Sequence, residues 1–251
     1  MAAGKKIYFA SDFHLGLEVD SDPLKREKHV VRWLRSVAGE ASAIYLVGDI
    51  FDFWWEYKSV VPRGFTRFLG TVSELTDAGI EVHFFTGNHD MWISDYLSKE
   101  CGMTLHTKPL LTELSGKKFY IAHGEGLGTR DVSYKVLLWL FRNRLLRKLY
   151  SFLHPRIGLA IAHRWTKNSR LAKHYYSELK NPENESLIRH AKHIAQSEEV
   201  NYFIFGHRHI ALDYELDSAG SRIFFLGNWF NAPSYVSWDG NRAVLHEFNY
   251  H

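Results

Sequence analysis

Five short strings concentrate the residues able to do chemistry: Asp12-Phe13-His14, Gly48-Asp49-Ile50-Phe51-Asp52, Gly87-Asn88-His89-Asp90, His123-Gly124 and Gly206-His207-Arg208-His209. They offer carboxylate, amide and imidazole donors and no sulfur, a set suited to Mn²⁺, Fe²⁺, Zn²⁺ or Co²⁺ rather than Ca²⁺. Asp12, His14, Asp49, Asn88, His123, His207 and His209 are the expected metal ligands. Seven protein donors exceed one tetrahedral zinc and suit two neighbouring ions bridged by Asp49 and a water, at the roughly 3.5–4 Å spacing used in phosphate-ester hydrolysis. Such a pair lowers the pKa of the bridging water and neutralises the phosphoryl oxygens. His89 is expected beside the metals rather than on them, hydrogen-bonding the phosphoryl group or protonating the leaving oxygen, with Asp52 orienting it. Asp52 and Asp90 also fit the plainer role of capping a helix. A lone D-x-H or H-x-H is weak, because such residues often only cap turns; the weight lies in five strings in succession.

Each string directly follows a β-like run: Ile7 to Ala10, Ile44 to Val47, Val82 to Thr86, Phe119 to Ala122 and Tyr202 to Phe205, with a sixth run at Ile223 to Leu226. Most are apolar throughout, as in strands buried on both faces. Strand ends in α/β sheets are where loops converge on a ligand crevice, so donors two hundred positions apart can meet. The period-two spacing of Asp12 with His14, and of His207 with His209, is expected to turn each pair to one face of an extended segment. The glycines beside the donors are expected to let the chain turn tightly at the edge of the site. Lys25 to Ala38 and Phe65 to Ala78 carry apolar residues at helical spacing, and Tyr235 to Trp238, Asp239-Gly240 and Ala243 to Phe248 read as a hairpin. The expected fold class is α/β, with a mixed sheet or two packed sheets. A helical stretch at about 130–195 interrupts it as a cap within one domain spanning 1–251.

The 251 residues, 45% hydrophobic and 24% charged, suffice for one full-sized core and exclude disordered and fibrous classes. The single cysteine, Cys101, leaves no intramolecular disulfide and suits a reducing interior. No run resembles a signal peptide or approaches the ~20 apolar residues of a membrane span. The net charge of +3 conceals an asymmetry: residues 135–180 hold eleven Lys/Arg against one acid, Glu178, and the other 205 residues carry −7. The basic segment is also apolar and aromatic, from Val136 through Leu153.

The five strings resemble those of the calcineurin-like metallophosphoesterase superfamily, over almost the whole chain. The resemblance implies a four-layer sandwich of two β-sheets flanked by helices around a dinuclear site, frequently loaded with Mn²⁺. One ion would take Asp12, His14, Asp49 and His209; the other would take Asp49, Asn88, His123 and His207. Within the superfamily the likeness is to the diphosphatases that cleave UDP-2,3-diacylglucosamine to UMP and diacylglucosamine 1-phosphate in lipid A biosynthesis. Length, the opening motifs and a helical insertion after the His-Gly motif support it. Asp131, Tyr134, Asn168 and Ser169 resemble substrate-contacting positions, and Arg164 is among the arginines expected to hold phosphates. The well-known form of those enzymes has arginine where this chain, like general metallophosphoesterases, has a histidine, His89. The partners implied are a lipid-linked nucleotide and the cytoplasmic face of the inner membrane.

Read physically, a +10 insertion with Leu/Trp/Phe faces suits a substrate joining a diphosphate to acyl chains, or contact with a membrane surface. A solvated basic face on an ordinary amphipathic helix gives the same pattern. Clustered leucines suit acyl chains better than stacked bases, so nucleic acid is not the expected partner. A soluble phosphoesterase acting on nucleotides is the alternative enzyme, and a metal-binding interaction scaffold the alternative outside catalysis.

Overall fold

The computed structural model describes residues 5–18, 22–128, 136, 138–141, 143–158, 181–216 and 220–249. Six strands form one sheet in the order β11-β10-β1-β2-β3-β4: β1 (Lys6–Ala10), β2 (Ala41–Val47), β3 (Glu81–Phe85) and β4 (Thr104–His106) run parallel, and the hairpin β10 (Ser234–Trp238)–β11 (Ala243–Glu247) joins antiparallel beside β1. A second sheet, β5-β6-β7-β9-β8, has a parallel centre of β6 (Lys117–Ala122), β7 (Tyr202–Phe205) and β9 (Arg222–Leu226), flanked by antiparallel β5 (Leu110–Leu114) and β8 (Ala211–Glu215).

The apolar runs are doubly buried because the first sheet lies between two cores. Tyr8 and Ala10 face the helices, packing with Val30, Trp33, Leu34, Phe68 and Val72. The alternate residues Ile7 and Phe9 face the second sheet, packing with Phe119, Ile121, Ile204 and Phe224. All six runs read from the sequence are strands. The three strands it did not signal are edges or near them: β4 has only three residues, and β5 and β8 alternate between exposed and partly covered positions. An edge strand with one wet face needs no continuous apolar run.

Helices α1 (Pro23–Val37), α2 (Thr66–Asp77) and α3 (Tyr96–Cys101) cover the first sheet. Asp22 caps α1, its side chain accepting from Leu24 N, with Pro23 at the first helical position. α2 begins after Phe65, which is left-handed and offers no side-chain cap. Its N-terminus is capped instead from α1, where buried Glu27 accepts from Arg67 N and Phe68 N at 2.9 and 3.1 Å. Cys101, Phe51, Phe53, Trp54 and Trp55 are all buried.

Two compact units emerge, one of residues up to Glu125 with those from Ala191 onward, the other Gly126–His190. The second contains α4 (Arg144–Ser151) and a 3₁₀ turn at Pro182–Asn184; α5 (Ser186–Ala195) begins within it. Asn143 starts α4, its Oδ1 accepting from Leu145 N and Leu146 N, so the apolar-basic stretch from Val136 to Leu153 is not one continuous helix. On α4, Leu145 and Leu149 are 65% and 56% exposed, and Phe152 just beyond it 76%. Among the described residues no helix is long and apolar enough to cross a membrane.

Candidate metal centre

Four of the five donor strings leave the C-terminal ends of parallel strands β1, β2, β3 and β7, and the fifth leaves β6, parallel to β7; all lie in the first unit. Donor atoms of Asp12, His14, Asp49 and His209 come together in one group, and those of Asp49, His123 and His207 in another. Asp49 belongs to both. His14 Nε2 is 3.2 Å from His209 Nε2 and 3.8 Å from Asp49 Oδ2, and His123 Nε2 is 3.3 Å from the same carboxylate oxygen. Asp12 Oδ1 lies 3.0 Å from His209 Nε2. Asn88 Oδ1 is buried with no hydrogen-bond partner, an orphaned acceptor on the loop whose His89 N donates to Asp49 Oδ1 at 2.9 Å. Convergent imidazole and carboxylate lone pairs with one orphaned amide oxygen fit hard-to-borderline divalent cations.

The paired donors meet by a different route from the extended geometry expected. Asp12, His14, Asp49, His207 and His209 all have positive φ, between 44° and 65°, and none lies in a strand. Past the strand ends the pleat no longer sets side-chain direction; left-handed residues do, at about 1–3 kcal/mol each. The strain is held by bonds between loops: Asp12 N and His14 N donate to Gly48 O and Asp49 O at 3.1 and 3.0 Å, Leu15 N to Ile50 O at 2.9 Å, and Gly206 N to His123 O at 3.0 Å. Asp12 Oδ2 accepts from His207 N at 3.0 Å, joining the first and last strings.

The glycines serve two purposes. Gly48 has φ +80°, as a tight turn requires, and a Cβ there would fall 2.5 Å from His123 Nδ1. Gly87 and Gly206 do not adopt positive φ. Their need is space, since a Cβ would lie 2.2 Å from Asp49 Oδ1 and 2.7 Å from Asp12 Oδ2 respectively.

Ligand orientation is set from behind. His123 Nδ1 lies 2.9 Å from Val47 O, which fixes the proton on Nδ1 and leaves Nε2 for a metal. Asp52, the residue expected to orient His89, meets it through the backbone. Its carboxylate is nearer His14, 3.4 Å from Nδ1 against 3.7 Å from His89 Nδ1, and His89 Nδ1 donates to the Asp52 backbone carbonyl at 2.9 Å. Asp90 caps no helix. Its Oδ2 accepts from Ile50 N and Phe51 N at 2.8 and 3.3 Å and its Oδ1 from Gly87 N at 2.7 Å, tying the second string to the third. Arg26, unsuspected from the sequence, supports the first string from α1, its Nη1 reaching His14 O and Leu17 O. Asp131, Tyr134, Arg164, Asn168 and Ser169 lie outside the described residues.

Burial and mutual charge arrange the protons. Burial opposes ionisation of Asp12 and Asp49, but the neighbouring imidazoles, His209 first for Asp12 and His123 first for Asp49, hold both carboxyls well below the usual range. Burial lowers His207 to about 3, keeping it neutral as a group offered to a metal must be, and lowers His89 to about 4. Burial works against the charge of His123, yet Asp49 raises its pKa well above the ordinary value. Asp90 is pushed up to about 7 by burial and then by the Asp49 charge, against the pull of its backbone donors.

A family model for calcineurin-like phosphoesterases matches residues 5–211, a span that contains all five strings. The UDP-2,3-diacylglucosamine hydrolase of Porphyromonas gingivalis (strain ATCC BAA-308 / W83) is 47% identical over 253 aligned positions, covering 96% of each chain. A protein of the same name from Neisseria meningitidis serogroup A is 30% identical, covering 96% of this chain and 97% of its own. Among solved structures, Vacuolar Protein Sorting 29 from Cryptosporidium parvum aligns with a TM-score of 0.45 at 10% identity, over 99% and 100% of the two chains. Donors of the right types, shared through one aspartate at the ends of parallel strands, and a family match spanning every one of them lead to one conclusion: the chain belongs to the calcineurin-like phosphoesterase family.

Proposed function

We propose that this metallophosphoesterase hydrolyses the pyrophosphate bond of UDP-2,3-diacylglucosamine, releasing UMP and 2,3-diacylglucosamine 1-phosphate. The observation that carries the substrate is the 47% identity over 96% of both chains to a UDP-2,3-diacylglucosamine hydrolase. Asp12, His14, Asp49 and His209 would hold one divalent ion, and Asp49, Asn88, His123 and His207 a second, with Mn²⁺ the proposed metal. Bound there, the ions supply an activated water nucleophile and neutralise the phosphoryl oxygens during in-line displacement. The chain's own groups do the rest. Asp49 anchors both halves of the site, Asn88 sets its carboxamide oxygen beside the reacting phosphate, and Asp52 steadies His14. His89, whose Nδ1–H is spent on the Asp52 carbonyl, would hydrogen-bond the phosphoryl group or protonate the leaving oxygen only as the imidazolium, with a second proton on Nε2 that the phosphate's negative charge favours.

Substrate selection is assigned to the insertion, with Asp131, Tyr134, Arg164, Asn168 and Ser169 as the proposed contacts. Exposed Leu145 and Leu149, spaced to share one side of α4, and Phe152 just past its end flank Lys148 in sequence. An apolar face edged with cations suits acyl chains at an anionic membrane surface, which supports action at the inner face of the cytoplasmic membrane. Turnover of UDP-2,3-diacylglucosamine, UDP-GlcNAc and a bis-phosphoester dye, measured side by side with Mn²⁺, tests the assignment. Strong preference for the diacylated substrate is expected; equal rates on all three would overturn it.

A further inference from the structure

The helical layer holds a feature that the metal centre does not use. Between the outward faces of α1 and α2 runs a groove of about 680 Å³, none of whose lining residues belongs to the donor loops. Lys25, Lys28, Arg32 and Arg35 recur along α1 at intervals of three and four residues and share one side of the helix. Arg67 reaches the groove from α2. Among the described residues Glu74 is the one acid in the lining, and it already lies 3.5 Å from Arg35. The lining therefore carries a net +4, although the chain outside residues 135–180 sums to −7. Like charges in a row along a helix repel, and a bound anion relieves that repulsion.

The floor is as informative as the walls. Gly70 occupies the interior of α2, where glycine is a poorer choice than alanine, and a Cβ added there would meet nothing within 4 Å. Its missing side chain keeps the groove open. Thr71 beside it is 2% exposed, yet its Oγ1 has no hydrogen-bond partner. A helical threonine ordinarily returns its hydroxyl to the preceding turn, as Thr76 does to Val72 O at 3.2 Å in the same helix. A groove with a spare buried hydroxyl in its floor and five cations around it is equipped for phosphate oxygens.

We propose that the α1–α2 groove is a second binding site, for a small ligand carrying two or more clustered phosphate charges. Its volume falls in the roughly 300–1,000 Å³ range of small-molecule sites. Among the described residues no aromatic side chain lines it, so none of them would stack a nucleobase. A soluble polyphosphate and a phosphomonoester lipid headgroup both present this chemistry, and the two sources are separable by experiment.

Binding of tripolyphosphate to the Mn²⁺-loaded full chain would be measured by calorimetry, and binding to phosphatidic acid vesicles by sedimentation against phosphatidylcholine vesicles. Dye hydrolysis serves as an independent check that the metal centre is intact. The Lys28→Gln/Arg67→Gln variant is expected to weaken one binding event at least tenfold and reduce its salt dependence, with dye turnover unchanged. Gly70→Gln should have the same effect by filling the floor while keeping every charge. Thr71→Val should weaken binding severalfold without lowering the melting temperature, because it removes a hydroxyl that makes no bond within the fold. Groove-dependent binding of tripolyphosphate identifies a soluble ligand; binding confined to phosphatidic acid vesicles identifies a headgroup. Equal binding of both probes by the wild type and all three variants, or binding of neither probe by the wild type, would overturn the proposal, whatever the outcome of the substrate assay.

Discussion

Nη1 of Arg26 lies 2.8 Å from the backbone carbonyl of His14, so a fully buried cation on the first helix holds in place a left-handed residue of the proposed metal centre twelve positions earlier. The same nitrogen reaches Leu17 O at 3.2 Å, and the guanidinium carbon sits 5.9 Å from the centre of the Phe230 ring. Arg26→Met would keep the apolar stem and strip His14 O of its donor. The expected cost is about 2–3 kcal/mol of stability, as for a buried charge-assisted bond, together with weaker metal retention at the ion that uses His14. Metal content after gel filtration, beside a urea melt, checks both. Retention equal to wild type would show that the contact supports the fold alone.

Gly87 is required by space rather than by backbone freedom. Gly87→Ala would drive a methyl against Asp49, the carboxylate shared by both donor groups, with its Cβ 2.2 Å from Oδ1. Loss of metal and a rate reduction on the order of 100-fold or more are expected, since ligand misplacement of even ~1 Å is costly. Gly39→Ala is the control, as a Cβ there meets nothing within 4 Å. If both variants kept wild-type turnover, the crowding at Gly87 would have no catalytic meaning.

Metal removal should act on both activity and stability. The positive-φ donors Asp12, His14, Asp49 and His209 of one proposed ion, and Asp49 and His207 of the other, would gain a metal partner when ions bind, and ions bound only by the native state stabilise it. EDTA is expected to abolish phosphoesterase turnover and lower the melting temperature, with Mn²⁺ restoring both. Activity persisting in fully chelated protein would contradict the assigned chemistry.

Acid sensitivity has a source outside the centre. His29 is 1% exposed, with ring centroids 5.7 Å from Trp229 and 4.9 Å from Phe248. Burial, then the Arg32 charge, lowers its pKa to about 4. Below the unfolded value of about 6.5 the denatured chain takes up a proton that the native chain refuses, so stability is full above that pH and falls towards pH 4, by up to about 3 kcal/mol. His29→Phe should therefore shrink the difference between urea midpoints at pH 7.5 and pH 5. It should not abolish it, because burial also lowers His83, His106 and His246. An unchanged difference would remove His29 from the account.

Much of the molecule is written in local order. The apolar runs ending at Ala10 and Val47 are strands buried on both faces, because a run without alternation satisfies only a strand with a core on each side. Donor type and succession were equally legible, since which atoms can bind a cation depends on residue identity alone. What tertiary structure decided was contact between distant segments. The edge strands β4, β5 and β8 depend on a neighbour more than on their own pattern. Glu27 caps a helix forty residues on, Asp90 ties two loops instead of capping a helix, and the Asp52 carboxylate lies within 4 Å of both His14 and His89 while its backbone carbonyl takes the His89 proton. Spacing placed Asp12 and His14 on one face of an extended segment; the bonds to Gly48 and Asp49 hold them left-handed instead. Residue type sets which chemistry is available, but sheet register and loop-to-loop hydrogen bonds set the distances at which it acts, and those partners are far apart along the chain.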